Sequence, residues 1–232
     1  MAEPTHSQSL DLQTPKRAPR FDAILFDLDG TLIDSAPDIH AGANAALAKR
    51  GLPQITADQA RAYVGHGAAI FIERLRNGLG LGPDLQDPLL ADFLAIYETA
   101  VSLTELYDGV ESTLQRLARN GFALGLVTNK PIGPTRNVVA HFDWQSQFGV
   151  VLGGDSLPVR KPDPAPLQAA IETLGCKAPL YVGDSEVDAE TAARAGVPFA
   201  LFTRGYRKAP IAELPHLHAF DSYDAFTDWL IG

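Results

Sequence analysis

Apolar residues along the chain fall into two patterns. The first is a set of short unbroken runs: Ala23-Ile24-Leu25-Phe26, Phe122 to Val127, Val150 to Leu152, Leu180 to Val182 and Phe199 to Phe202. Short runs of this kind, bounded by Gly, Pro or Asp, predict strands buried on both faces, as in a parallel sheet. The second pattern is helical spacing between the runs. Gly109 to Arg119 places Val110, Leu114 and Leu117 on one stripe, and Pro164 to Leu174 does the same with Leu167, Ile171 and Leu174. Pro164 suits a helix start. Glu186 to Ala195 predicts a short Ala-rich helix stopped by Gly196, and Ala225 to Ile231 closes the chain.

The stretch from about Asp34 to Thr104 differs. Its apolar residues keep helical spacing and no strand-like run interrupts them. Ile39 to Leu47, Ala57 to Val64, Ala68 to Leu79 and Pro88 to Leu103 predict four helices, punctuated at Gly51-Leu52-Pro53, Gly65-His66-Gly67 and Gly80-Leu81-Gly82-Pro83. The order is one strand, four helices, then alternating helix and strand. Alternation of this kind predicts a doubly wound parallel sheet, an α/β fold. The chain then divides into a tail at 1–20, a catalytic α/β core at 21–34 and 105–232, and an inserted helical cap at 35–104. The first segment is rich in Ser, Thr, Gln and Pro and is expected to be a flexible tail with no secretory leader.

Composition narrows the classes. The chain has 232 residues, 46 % hydrophobic and 20 % charged, ordinary values for a soluble globular protein with a full core. The formal net charge of -9 argues against a nucleic-acid partner, which would need a basic face. No apolar run reaches the roughly 18 residues of a membrane span. A single cysteine, Cys176, cannot form an internal disulfide, so a reducing, cytoplasmic location is expected.

Sites in open parallel sheets lie at the C-terminal ends of the strands. The first run is followed by Asp27 and Asp29, the second by Thr128-Asn129-Lys130, the third by Arg160-Lys161-Pro162-Asp163, and the fourth by Gly183-Asp184-Ser185-Glu186-Val187-Asp188. Crowded carboxylates repel one another unless a cation joins them. Mg²⁺ is the hard cation that takes one or two carboxylates together with phosphate oxygens. Asp27 and Asp184 are the expected ligands, with Asp188 behind them as an orienting group. Thr128, the backbone after it at Asn129, and Lys161 supply donors for a phosphoryl group, whose transfer depends on positioning and preorganised positive charge. An aspartate can also be the nucleophile and carry the phosphoryl group. Asp29, two residues beyond Asp27, is placed to protonate a leaving alkoxide and then to take a proton from water. No Walker-type loop marks a nucleotide site.

These residues resemble the haloacid dehalogenase superfamily: Asp27-x-Asp29-Gly30-Thr31, then Thr128, then Lys161, then Gly183-Asp184 with Asp188. The resemblance runs from about Phe21 to the C-terminus. Tyr63-Val64-Gly65-His66-Gly67-Ala68 and Leu126-Val127-Thr128-Asn129-Lys130 look like its phosphoglycolate phosphatase subgroup. The resemblance implies Asp27 as nucleophile, Asp29 as general acid and base, Thr128 and Lys161 on the phosphate, and Mg²⁺ on Asp27, the main-chain carbonyl of Asp29, and Asp184. It implies a small phosphorylated metabolite as substrate, 2-phosphoglycolate foremost, acted on by a monomer or homodimer. Gly65, His66 and Gly67 then belong to a cap loop that reaches the substrate, where a plain turn with an exposed imidazole is the simpler alternative. For Asp188 the simpler alternative is a group that satisfies backbone donors in the first helical turn. Arg74 and Arg76 read as solvated helix-surface residues and Cys176 as packing.

Competing functions are a sugar phosphomutase or pyrophosphatase on the same scaffold, and a phosphoreceiver switch. A receiver domain is about half this length and lacks the helices after the first strand. Dehalogenation leaves Asp29 and Asp184 without a purpose. Phosphonate cleavage through an imine requires a cap lysine near the site, and the cap offers only Lys49, beside Arg50 and just before a turn.

Overall fold

The computed structural model describes residues 21–232; the tail expected at 1–20 lies outside the described residues. In chain order the strands are β1 (Ala23–Phe26), β2 (Ile33–Asp34), β3 (Glu105–Leu106), β4 (Ala123–Val127), β5 (Val150–Leu152), β6 (Pro179–Gly183), β7 (Phe199–Phe202) and β8 (His218–Phe220). The α-helices are α1 (Ala36–Ala48), α2 (Ala57–Tyr63), α3 (Ala68–Gly78), α4 (Gln86–Tyr97), α5 (Val110–Arg119), α6 (Ile132–His141), α7 (Ala165–Leu174), α8 (Glu186–Ala195) and α9 (Tyr223–Ile231).

Six strands form one sheet in the order β5-β4-β1-β6-β7-β8, and every neighbouring pair in it is parallel. This is the doubly wound α/β fold expected from the alternation of runs. The pleat sends successive side chains of β1 to opposite faces. Ile24 and Phe26 join Leu124, Leu126, Leu180 and Val182 in a core covered by α5, α6 and α9. Ala23 and Leu25 join Tyr181, Leu201, Leu167 and Ala189 in a second core under α7 and α8. Helices on both faces explain why β1 is apolar at every position.

Helices α1–α4 have an apolar core of their own, with Ile39, Leu47, Phe71, Leu75, Leu89, Phe93 and Tyr97 at its centre. Two connections join this layer to the sheet. They pair with each other as a short antiparallel ladder, Ile33 opposite Leu106 and Asp34 opposite Glu105. Buried Asp38 fastens the same joint: its carboxylate accepts from the backbone N–H of Leu103 at 3.0 Å and from Thr104 Oγ1 at 2.6 Å. That contact explains one difference from the periodicity. The helix expected over Pro88 to Leu103 ends at Tyr97, and the next residues leave helical geometry to reach Asp38 and β3.

Among the described residues no helix is long and apolar enough to cross a membrane.

Candidate active site

Asp27, Thr128 and Asp184 stand one residue beyond the ends of β1, β4 and β6, three adjacent strands. The residues expected to act together are therefore together. Lys161, on the loop after β5, carries its Nζ to Asp27 Oδ1 at 2.8 Å and to Asp188 Oδ1 at 2.7 Å. The Tyr181 hydroxyl is 2.8 Å from the same ammonium and donates to Asp188 Oδ1 at 3.0 Å. Asp27, Lys161, Asp184 and Asp188 are all at least nine-tenths buried.

Asp188 satisfies backbone donors at the start of α8 and also faces Lys161. Its Oδ2 accepts from the Ser185 backbone N–H at 3.1 Å, closing a capping box at the start of α8. Its Oδ1 faces Lys161. Burial pushes the Asp188 carboxyl up, but the Lys161 ammonium and the hydrogen bonds from Lys161, Ser185 and Tyr181 outweigh it, and the group ends below its ordinary value. Burial acts on Asp27 too. Lys161 opposes it, Asp188 adds to it, and the carboxyl is pushed up to about 7. Asp184 is driven well above the usual range by burial and by its neighbours Asp188 and Asp27.

Those shifts supply a physical test for a cation. One carboxylate oxygen from each of Asp27, Asp184 and Asp188 lies within 4.8 Å of the others. Lys161 neutralises one of three buried negative charges. Hard oxygen donors gathered at the end of a sheet fit a divalent ion such as Mg²⁺, whose charge would hold Asp27 and Asp184 ionised.

Asp184 is held in place by Thr31 Oγ1, which donates to its Oδ1 at 3.0 Å, and by the Tyr206 backbone N–H, which donates to its Oδ2 at 2.5 Å. Gly30 makes this approach possible. It sits at φ +88°, and a Cβ there would lie 2.6 Å from Asp184 Oδ2 and 2.7 Å from a Tyr206 ring carbon. Gly30→Ala combines left-handed strain with a clash at a buried carboxylate. A loss of about 2–4 kcal/mol is expected, read as a lowered midpoint in urea unfolding.

Asp29 turns away from the carboxylate cluster. Its Oδ1 accepts from Ser35 Oγ at 2.6 Å and from Lys130 Nζ at 3.2 Å. Thr128 Oγ1 accepts from the Lys130 backbone N–H at 3.2 Å, so its own proton remains available. Asn129 uses its side-chain amide as a strut: Nδ2 donates to Gly65 O at 3.2 Å and to Lys161 O at 3.0 Å. Its backbone N–H donates to no protein acceptor among the described residues, which leaves the backbone, not the amide, as the donor for an anion.

Two cavities meet over Asp27 and Asp29. The inner one, about 50 Å³, is walled by Thr128, Asn129 and Lys130 below and by Gly65, Gly67, Ala68, Phe71, Phe93 and Tyr97 from the helical layer. The outer one, about 440 Å³, is walled by His66, Arg74, Asp184, Glu186, Tyr206 and Lys208. Gly65 lines both cavities, Gly67 the inner one and His66 the outer one. His66 Nδ1 lies 3.1 Å from an Arg74 guanidinium nitrogen. Burial, then the charges of Arg74 and Lys208, lower its pKa.

Sequence reasoning missed four contributors. Ser35 orients Asp29. Tyr206 ties Asp184 to the first connection, its hydroxyl accepting from Ser35 N–H at 2.9 Å and donating to Asp34 Oδ1 at 2.7 Å. Tyr181 supports Lys161. Lys130 is buried against Asp29 and the Tyr97 hydroxyl. Only Lys130 left a signal: it directly follows Thr128-Asn129 at a central strand end. Glu186 accepts from the backbone N–H groups of Lys208 and Ala209. Of the residues given other readings, Arg74 belongs to the outer cavity wall, and Lys49 pairs with Asp92 at the surface.

Comparison with known proteins agrees with this geometry. The model of the haloacid dehalogenase-like hydrolase family matches residues 24–202. A curated phosphoglycolate phosphatase of Cereibacter sphaeroides is 47 % identical over 210 residues, covering 89 % of this chain and 96 % of the relative. The phosphoglycolate phosphatase of Rhodobacter capsulatus is 45 % identical over 205 residues, with 88 % and 94 % covered. Among solved structures, one described as a predicted phosphoglycolate phosphatase from Haemophilus somnus superposes with a TM-score of 0.86 at 32 % identity, covering 92 % of this chain and 99 % of the other.

Proposed function

Since the chain belongs to the haloacid dehalogenase-like hydrolase family and is a phosphoric monoester hydrolase, we propose that it hydrolyses 2-phosphoglycolate to glycolate and phosphate in the cytoplasm, with Mg²⁺ bound and Asp27 as nucleophile. The observation that carries this reading is the convergence of Lys161 on Asp27, 134 positions apart in sequence and 2.8 Å apart in space, beside buried Asp184. The names of the curated relatives, both phosphoglycolate phosphatases, support the substrate.

In this mechanism an oxygen of Asp27 attacks phosphorus in line with the leaving alkoxide. Thr128 Oγ1, the Asn129 backbone N–H and Lys161 hold the phosphoryl oxygens, and the donors stand ready before the charge develops. Asp29, with Oδ1 held by Ser35 and Lys130, protonates the departing glycolate oxygen. The aspartyl-phosphate is then opened by water, whose proton returns to Asp29. Asp27, the Asp29 carbonyl and Asp184 would hold Mg²⁺, with Asp188 fixing Lys161 behind them. When bound, the ion supplies charge that offsets both the carboxylates and the phosphoryl oxygens. Residues 35–104 act as a cap that limits water and substrate size, with the ladder of β2 and β3 as its hinge.

Phosphate release from 2-phosphoglycolate in Mg²⁺ tests this, against hexose phosphates and pyrophosphate. A preference for 2-phosphoglycolate is expected. Chelation should stop turnover, and a saturating divalent ion, at about 100 times its Kd, should raise Tm by roughly 5–10 °C. Full activity in chelator would sink the proposal.

A further inference from the structure

The mechanism above uses Lys161 for the phosphoryl group and leaves a second buried lysine unexplained. Lys130 is 4 % exposed. Its ammonium lies 3.2 Å from Asp29 Oδ1, contacts the Tyr97 hydroxyl, and sits 4.1 Å from the centre of the Tyr97 ring. Burying an ammonium among apolar side chains is costly unless its protons find partners. A lysine has three protons to donate, and Asp29 and Tyr97 account for two.

The place of that charge matters. The inner chamber holds Asp27, Thr128 and Asn129, hence the phosphoryl position, and among the described residues that wall it Lys130 carries the only positively charged side chain. Opposite stand Phe71, Phe93 and Ala68, which offer no hydrogen bond. A substrate whose phosphoryl group rests on Asp27 and whose remainder enters this chamber meets one cation and a mostly apolar wall. The outer cavity is a poorer host for a second anion. Asp27 and Asp29 face both cavities, and the outer one adds Asp184 and Glu186; of its two cations, Arg74 is engaged with Tyr63 O and His66 and Lys208 stands against the charge of Glu186.

We infer that Lys130 is the specificity-determining residue of this site, receiving on its third proton the carboxylate that a small substrate carries next to its phosphate ester. The inference rests on the phosphatase reading and deepens it. Tyr97, brought down from the helical layer, presses its ring and hydroxyl against the ammonium and so ties recognition of the carboxylate to the closed arrangement of the cap.

Binding without turnover separates this inference from the reading beneath it. The probes are the phosphonate isostere of 2-phosphoglycolate, with a methylene in place of the bridging oxygen, and its neutral carboxamide. Calorimetry in Mg²⁺ should find the carboxylate bound about 10- to 100-fold more tightly by the wild type, the worth of one charge-assisted hydrogen bond. Lys130→Met should erase that preference while leaving carboxamide affinity within about threefold, a sub-kcal change. Lys130→Gln keeps a donor for Asp29 and guards against a simple folding defect; it should also erase the preference, and Lys130→Arg should retain part of it. Equal weakening of both probes would make Lys130 a support for Asp29 and overturn the inference. So would a preference that survives Lys130→Gln, or one that disappears with Arg74→Gln instead. Failure of the wild type to release phosphate from 2-phosphoglycolate would strike the functional reading and leave this binding comparison standing.

Discussion

Asp27→Asn should release phosphate at least about 10⁴-fold more slowly than the wild type, a barrier increase of about 5.4 kcal/mol. The amide keeps the size and shape of the carboxylate and removes its nucleophilic charge. Lys161 stays in place through Asp188, 2.7 Å away, so the phosphoryl site persists and KM should move far less than kcat. Stability should hardly fall. Asp27 is pushed up to about 7 from 3.8, by burial before all else. An acid raised on folding is one whose ionised form the fold disfavours, so in the ion-free protein this residue loses stability as pH rises from about 4 to 7. An amide does not ionise and escapes that loss. A rate within tenfold of wild type would contradict the assignment of Asp27.

Lys161→Met should have the largest effect on folding. The lysine is the shared partner of Asp27 and Asp188, and its pKa stays above the ordinary lysine value because those two charges overcome its burial. Removing one partner of a buried ion pair leaves uncompensated charge and costs about 3–5 kcal/mol, or roughly 6–20 °C in Tm for a chain of this size. Phosphate release should fall by about 10³-fold as a preorganised donor to the phosphoryl group is lost. Mg²⁺ should recover more stability in this variant than in the wild type, because its charge answers the same carboxylates. Melting curves with and without the ion measure this. An unchanged Tm would mean the pair contributes nothing to the folded state.

The parts of the fold that announced themselves were those whose local and tertiary demands agree. β1 reads as a buried strand because both faces of the sheet are covered, and Glu186–Ala195 reads as a helix because Gly196 stops it. Elements set by their surroundings stayed silent. β2 and β3 are two residues each and exist because the two connections meet. β8, His218–Phe220, is a three-residue strand paired, among the described residues, only to β7. Gly133 and Pro134 obscure α6, although Pro134 falls in the first turn, where proline is tolerated.

The site divides in the same way. Asp27, Asp29, Thr128, Lys161 and Asp184 follow apolar runs, and the parallel sheet brings the ends of those runs together by construction. Tyr97 acts from the helical layer, and Ser35 and Tyr206 from loops that meet only in the folded chain, none of which periodicity encodes. Lys130 was visible as a residue but not as a buried one. Tyr97, which covers its ammonium, is 33 positions away.

The most direct test of the whole account is a single turnover with enzyme in excess over 2-phosphoglycolate and Mg²⁺, quenched in acid and analysed by peptide mass spectrometry. The account predicts one transient phosphoryl group on Asp27, absent in Asp27→Asn and gone once the turnover is complete. A phosphoryl group on another residue, or full turnover with none on the protein at any time, would contradict it.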